Sequence, residues 1–515
     1  MTRANDVHYP NGSFAGLFGF IRRFSRPAVI GLKTITGLCV AVFLQMALGV
    51  GNASANPPAT NQIYHCPFVA GSNPATAGRP DTGEMKLYTG GRPFIRINLA
   101  AVDPLAVCND GSPGVMYVRK APATLPNGNA NPHASKFHIH IKGGGGCKNR
   151  QECEKRWCGV GGGLNSPGLM SSEGTKIRAS VKGLFNNNPT NRFFYYNQVV
   201  LFYCSSDSWL GDRAEPQNVI RPNTAGAFPA FVMTSSPIEF RGARIVNTAM
   251  SQLTTAGGFS YFNPHIDSMD SLPNMGTADA VFFSGDSAGG VGLRHHIDRL
   301  KTDINSLSAT VVPVYAALDA GGVPDLNSTV VPASYGGGPP GSQSAGWANY
   351  TAMMTEVSDN YMNYHGATTA NSDISCFAMA ANPDSCFDTF YLQKHHITTP
   401  LFHRVSLYDH MKVDSFVNKA EFYATAPDLG FASEIAAREF RLPGIELRAQ
   451  MSVMAPSCDK HVVFRNNTVF SHTTSSGGVS TYSRLADFAA TCEAGACSVV
   501  TDIDTYLTPM AYPGC

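Results

Sequence analysis

The sequence predicts an α/β chain, with a mostly parallel central sheet flanked by helices and a loop-rich insertion. Three observations predict it. Short apolar runs alternate with stretches of helical spacing, the order that parallel strand–helix–strand units require. One of those runs, 280–283, stops at the small-residue turn Ser284-Gly285-Asp286-Ser287-Ala288-Gly289-Gly290 and gives way to helical spacing over 291–300. A stretch rich in Gly, Ser and Pro, 328–388, then interrupts the alternation. With 515 residues, 15% charged residues, 50 Gly and 33 Pro, the chain reads as a globular body with many turns and long loops.

At the N-terminus, Arg22, Arg23, Arg26 and Lys33 precede an apolar run over 35–48, followed by the small-residue site Ala53-Ser54-Ala55. This is the order of an export signal, so 1–55 is read as removed and the mature chain as starting near Asn56. The apolar run is shorter than the ~20 residues that span a bilayer, so no stable membrane span is expected after its removal. The expected location is secreted or periplasmic. Losing five basic residues and one acidic residue leaves 33 basic against 36 acidic, with no basic run to attract nucleic acid.

Of the 13 cysteines, Cys39 lies in the signal and twelve remain. An even count in an exported chain argues for disulfides. The trio Cys147, Cys153 and Cys158 needs at least one partner from elsewhere. No tidy C-x-x-C pair supports zinc, so no metal is expected.

The body, 56–515, is read as a single catalytic domain. Residues 56–135 are rich in Pro, Gly and Asn, with strand-like pieces at 86–88 and 115–119, and read as an N-terminal lobe packed on the core. The alternation of 136–142, Lys-Phe-His-Ile-His-Ile-Lys, predicts a strand that runs into Gly143-Gly144-Gly145-Gly146-Cys147. The apolar run 198–203 predicts the next strand, and Ile245, Ala249 and Leu253 predict one face of a helix over 242–253. Further strands are expected at 309–318, leading into Asp319-Ala320-Gly321, and at 400–407, ending at Tyr408-Asp409-His410. Helical spacing covers 432–451. The insertion 328–388 is long enough to act as a lid.

Ser287 stands between two glycines at a strand-to-helix turn, the pattern of a nucleophile elbow in an α/β-hydrolase-like fold. A serine hydroxyl needs a histidine to take its proton and a carboxylate to orient that histidine. In such folds the acid and the histidine follow the serine, on loops after late strands. Asp409 and His461 fit this order, and on position alone Asp319 and His472 fit it as well. Oxyanion donors are expected from the backbone of Ala288 and from the glycines 143–146, whose amides can approach a substrate closely.

Taken together, several motifs resemble the pectin acetylesterase/Notum family. They are Gly-Gly-Gly-Gly-Cys at 143–147, Tyr203-Cys204-Ser205-Ser206-Asp207 through Gly211, Phe240-Arg241-Gly242, Gly285-Asp286-Ser287-Ala288-Gly289-Gly290, Asp319-Ala320-Gly321, Tyr408-Asp409 and Ser457-Cys458-Asp459-Lys460-His461. They occur in the family's order and span about 64–470. The resemblance implies Ser287 as nucleophile, Asp409 as acid and His461 as base, with Gly144, Gly145 and Ala288 as oxyanion donors. It also implies a secreted, disulfide-bonded serine carboxylesterase without metal or cofactor, whose partner is an acylated substrate, a carbohydrate such as pectin in the first instance. The chain departs from the family at Gly145 and Gly146, where relatives often carry an aromatic residue. A Notum-like long-chain deacylase, an exported serine peptidase and a non-catalytic carbohydrate-binding relative are the rival functions.

Overall fold

In the computed structural model, the described residues are Lys86–Leu87 and most of 92–503. Residues 1–85, 88–91, 216–237, 322–354, 410–450 and 504–515 lie outside them, as do a few shorter stretches. The expected export signal, the first part of the expected insertion and nearly all of the expected 432–451 helix therefore fall outside the described residues.

The elements run β1 (Lys86–Leu87), β2 (Phe94–Asn98), β3 (Val115–Arg119), β4 (Phe137–Ile141), α1 (Arg150–Trp157), β5 (Arg178–Ser180), β6 (Asn197–Leu201) and α2 (Gly242–Leu253). They continue with β7 (Phe259–Asn263), β8 (Ser268–Leu272), β9 (Val281–Asp286), α3 (Ala288–Ser306), β10 (Val314–Asp319), α4 (Ile374–Met379) and α5 (Thr389–His395). β11 (Leu401–Arg404), β12 (Met451–Ala455), α6 (Thr481–Glu493) and β13 (Thr501–Ile503) complete the order.

Eleven strands form one sheet in the order β1-β5-β2-β3-β6-β4-β9-β10-β11-β12-β13, and β7 and β8 make a separate hairpin. Every pairing from β6 through β13 is parallel. From β1 to β6 the pairings are antiparallel. This is the mostly parallel sheet of an α/β-hydrolase-like fold. Residues 56–135 were expected as a lobe on the core. Their described strands β1, β2 and β3 lie in the antiparallel part of the sheet, where β3 is buried along its whole length and pairs in register with β6.

The three strands that carry the site, β4, β9 and β10, are buried at every residue. For β9 and β10 this follows from near-continuous apolar runs covered on both faces. β4 reaches the same burial with alternating histidines. His138 and His140 do not face water; they face Ser284 and Asp286 on β9, two residues apart and therefore on one side of that strand.

At the end of the sheet where β4 and β10 begin, one acid gathers several side chains. Glu493, the last residue of α6, pairs with Lys136 at 2.6 Å and Arg192 at 2.5 Å, and accepts from Tyr315 at 2.8 Å and from Tyr196. Burial raises its carboxyl, but bonds from Lys136, Tyr196 and Tyr315 and the Arg192 charge outweigh that and hold it below the usual range.

Among the described residues four disulfides form: Cys108–Cys204, Cys147–Cys153, Cys376–Cys386 and Cys492–Cys497. The first closes 96 residues and, on a chain-entropy basis, contributes about 4–5 kcal/mol. Cys158 lies outside the described residues. No described helix is long and apolar enough to cross a membrane.

Candidate active site

The elbow is a forced geometry. Ser287 directly follows β9 and caps α3 with φ 50° and ψ −125°, a conformation that L-residues rarely adopt. The strain is held from three sides. Ser287 N–H donates to Asp319 O at 2.9 Å. A Cβ at Gly289 would lie 2.0 Å from Ile141 O, and one at Gly143 would lie 2.0 Å from Asp286 O and 2.8 Å from Ser287 Cβ. Only glycine allows the strand, the turn and the loop to approach this closely.

The structure brings together all three residues implied for the triad. His461 Nε2 lies 2.8 Å from Ser287 Oγ, and His461 Nδ1 lies 2.9 and 2.8 Å from the two oxygens of Asp409. A buried carboxylate only accepts, so Nδ1 carries the proton and donates, which leaves Nε2 to accept from the serine hydroxyl. Asp409 is buried, while the Ser287 and His461 side chains are partly open to solvent.

The two alternatives from position alone go elsewhere. Asp319 accepts from the backbone N–H groups of Val463 (2.5 Å) and Phe464 (2.7 Å) and from Arg404 Nη1 (2.9 Å). Arg404 also donates to the carbonyls of His461 and Lys460, both at 2.9 Å. Asp319 thus anchors the segment bearing His461 and does not touch the imidazole. Full burial raises its carboxyl, against the lowering pull of Arg404. His472 packs against Arg404 and Thr481. Burial, Arg404 and Lys460 push its pKa far down, so it stays neutral.

The glycine loop follows β4 directly and is clamped at successive peptides. Gly143 N–H donates to Asp286 Oδ1 at 2.7 Å, Arg156 on α1 donates to Gly144 O at 2.6 Å, and Tyr203 donates its hydroxyl to Gly145 O at 2.6 Å. Trp209 Nε1 holds Lys142 O at 2.9 Å, and Cys147 N–H reaches Ser206 O. Among the described residues no acceptor takes the N–H of Gly144, Gly145 or Ala288. These are the three amides the resemblance implies for an oxyanion, and Ala288 opens α3, where the helix dipole adds to the attraction for negative charge.

The turn behind the loop is itself strained, with φ of 54°, 53° and 68° at Ser206, Ser208 and Trp209. Buried Asp207 ties it together by accepting from Ser205 Oγ, Trp209 N–H and Gly242 N–H. Burial pushes its carboxyl up to about 7 in spite of those donors. The described part of the insertion packs here too. Tyr361 donates to Ser208 Oγ at 3.0 Å, and His365 donates to Cys147 O at 2.7 Å. Among the described residues, no group of three or more His, Cys, Asp and Glu is arranged to hold a metal ion.

Sequence reasoning missed Asp286, Arg404, Arg465, Arg156 and Tyr203. Each acts on a backbone group or a side chain that sequence spacing alone does not bring near it.

Part of the chain is similar to known proteins. Residues 95–335 match the family model described as Pectinacetylesterase. The palmitoleoyl-protein carboxylesterase Notum of Drosophila melanogaster is 26% identical over 232 residues, 45% of this chain and 28% of the relative. That of Schmidtea mediterranea is 28% identical over 215 residues, 41% of this chain and 32% of the relative. The matched segment therefore spans about a third or less of these relatives. The crystal structure of the Wnt deacylase Notum from Drosophila superposes with a TM-score of 0.55 at 20% identity, covering 82% of this chain and 99% of that one. Over residues 95–335 the chain is similar to the pectin acetylesterase family, and its fold is similar to that of Notum.

Proposed function

We propose that the protein is an exported serine carboxylesterase that hydrolyses an O-acyl ester through an acyl-enzyme. One observation carries the reading: the line of hydrogen bonds from Ser287 Oγ through His461 to Asp409, at 2.8 Å and 2.8–2.9 Å. His461 Nε2 takes the serine proton as Ser287 Oγ attacks the ester carbonyl, and Asp409 stabilises the imidazolium that forms. The carbonyl oxygen becomes an oxyanion held by the amides of Gly144, Gly145 and Ala288. His461 then gives its proton to the leaving alcohol, and the acyl group stays on Ser287. Water enters, His461 accepts one of its protons as the water oxygen attacks the acyl carbon, and the Ser287 Oγ–acyl bond then breaks with return of that proton from His461 to Oγ, releasing the acid.

The substrate we infer is an acetyl ester of a polysaccharide such as pectin, following the description of the matched family. The names of the curated relatives favour a second reading, a long-chain acyl ester carried by a protein. A chain-length series of p-nitrophenyl esters beside acetylated pectin separates the two: an acetyl optimum supports the first, and an optimum at long acyl chains supports the second. The mechanism has its own test. Ser287→Ala should lower p-nitrophenyl acetate turnover by ~10⁶-fold while the protein keeps its melting temperature. Retained turnover would refute the reading.

A further inference from the structure

Asp286 precedes the nucleophile, yet the steps above give it no part. It is fully buried and accepts from three different segments. Gly143 N–H, at the root of the glycine loop, donates to Oδ1 at 2.7 Å. His140 Nε2 on β4 reaches the same oxygen at 3.1 Å. Arg465, four residues after His461, closes on Oδ2 with Nε at 2.7 Å and Nη2 at 2.5 Å, a forked contact that fixes orientation as well as distance.

The histidine side of this arrangement has a single consistent polarity. The carboxylate only accepts, so His140 Nε2 carries a proton and Nδ1 is left to accept from Ser284 Oγ, 2.9 Å away. Ser284 Oγ in turn accepts from His138 Nε2 at 2.7 Å. Burial above all holds His138 well below its usual range, so the row begins at a neutral ring. The chain His138, Ser284, His140 thus fixes the Asp286 carboxylate, which points one oxygen at the glycine loop and the other at the segment bearing His461.

We propose that Asp286 is a positioning residue that holds the oxyanion loop and the histidine segment in register with the Ser287 elbow. The inference rests on the esterase reading above. Removing it shifts two parts of the transition-state site at once, the oxyanion loop and the histidine segment. A misplacement of about an ångström at a reacting centre costs up to ~10²-fold in rate.

The test uses the full chain with Asp286→Asn, Arg465→Met, Arg465→Lys and the double variant Asp286→Asn/Arg465→Met. Asp286→Asn keeps the shape but turns an amide or a neutral oxygen toward the guanidinium. It should lower kcat/KM for p-nitrophenyl acetate by ~10–10²-fold with KM little changed. Affinity for a boronic acid that mimics the tetrahedral state should fall in parallel, as loss of transition-state complementarity requires. Arg465→Met should give a loss of its own, Arg465→Lys should recover part of it, and the double variant should fall no further than the worse single one. If Asp286→Asn does not fold, the two Arg465 variants still decide through the same readouts. Wild-type rates in the single variants, or losses that multiply in the double, would overturn the proposal. Ser287→Ala separates the two levels: a dead Ser287→Ala beside unimpaired Asp286 and Arg465 variants sinks the positioning role alone, whereas an active Ser287→Ala sinks the esterase reading.

Discussion

The two ends of the central sheet are both held by acids, partly buried Glu493 at one and fully buried Asp286 and Asp319 at the other, and the acids hold different things. Where β4 and β10 begin, Glu493 collects the side chains of Lys136, Arg192, Tyr196 and Tyr315. Where β9 and β10 end, Asp286 and Asp319 collect backbone N–H groups of Gly143, Val463 and Phe464, each with a guanidinium alongside. Long side chains can follow a small backbone shift and keep their bonds. A backbone N–H moves with its loop, so an acid that binds it sets where the loop lies. The first arrangement secures the fold, and the second secures the placement of the reacting groups.

That contrast can be broken from either end. The largest effect is expected at Asp409, which orients the imidazole directly. Asp409→Asn should cost ~10⁴ in kcat with little change in stability, because the amide favours the wrong histidine tautomer; steady-state kinetics and a thermal melt check it. Next comes Asp319→Asn, which loosens the segment that carries His461 without touching the ring. A kcat loss of ~10–10²-fold is expected, with a stability loss of about 1–3 kcal/mol from the weakened buried bonds. Denaturant titration beside kinetics reads both numbers.

Glu493→Gln should show the reverse balance: a stability loss of about 2–4 kcal/mol with kcat unchanged at temperatures where the variant is folded. The sign of its pH dependence follows from the lowered carboxyl. A group depressed in the folded state contributes stability above its unfolded pKa of ~4.3 and loses it as pH falls through the folded value. The melting-temperature gap between wild type and Glu493→Gln should therefore be full at neutral pH and close in acid. A gap that widened in acid would contradict the clamp.

Much of this end of the molecule was legible in the sequence, and the parts that were not share a cause. The elbow could be read because strand, glycines, serine and helix are contiguous. The order of the motifs pointed to Asp409 and His461, but spacing alone left Asp319 and His472 standing. Those four differ only in what lies across the sheet from them. The alternation in β4 pointed to a strand but not to its burial: its histidines meet Ser284 and Asp286 on β9 and lie inside the sheet's core. Residues 56–135 read as an N-terminal lobe packed on the core because local composition does not say which sheet a short strand joins. α6 and β12 were missed, β12 because it directly follows residues with helical spacing.

The central claim is that Ser287 becomes acylated. Incubation of the wild-type protein with a fluorophosphonate, followed by intact mass and peptide mapping, reads this directly. One adduct should appear, on the peptide containing Ser287, and Ser287→Ala should take up none. A label on another residue, or undiminished labelling of Ser287→Ala, would contradict the account.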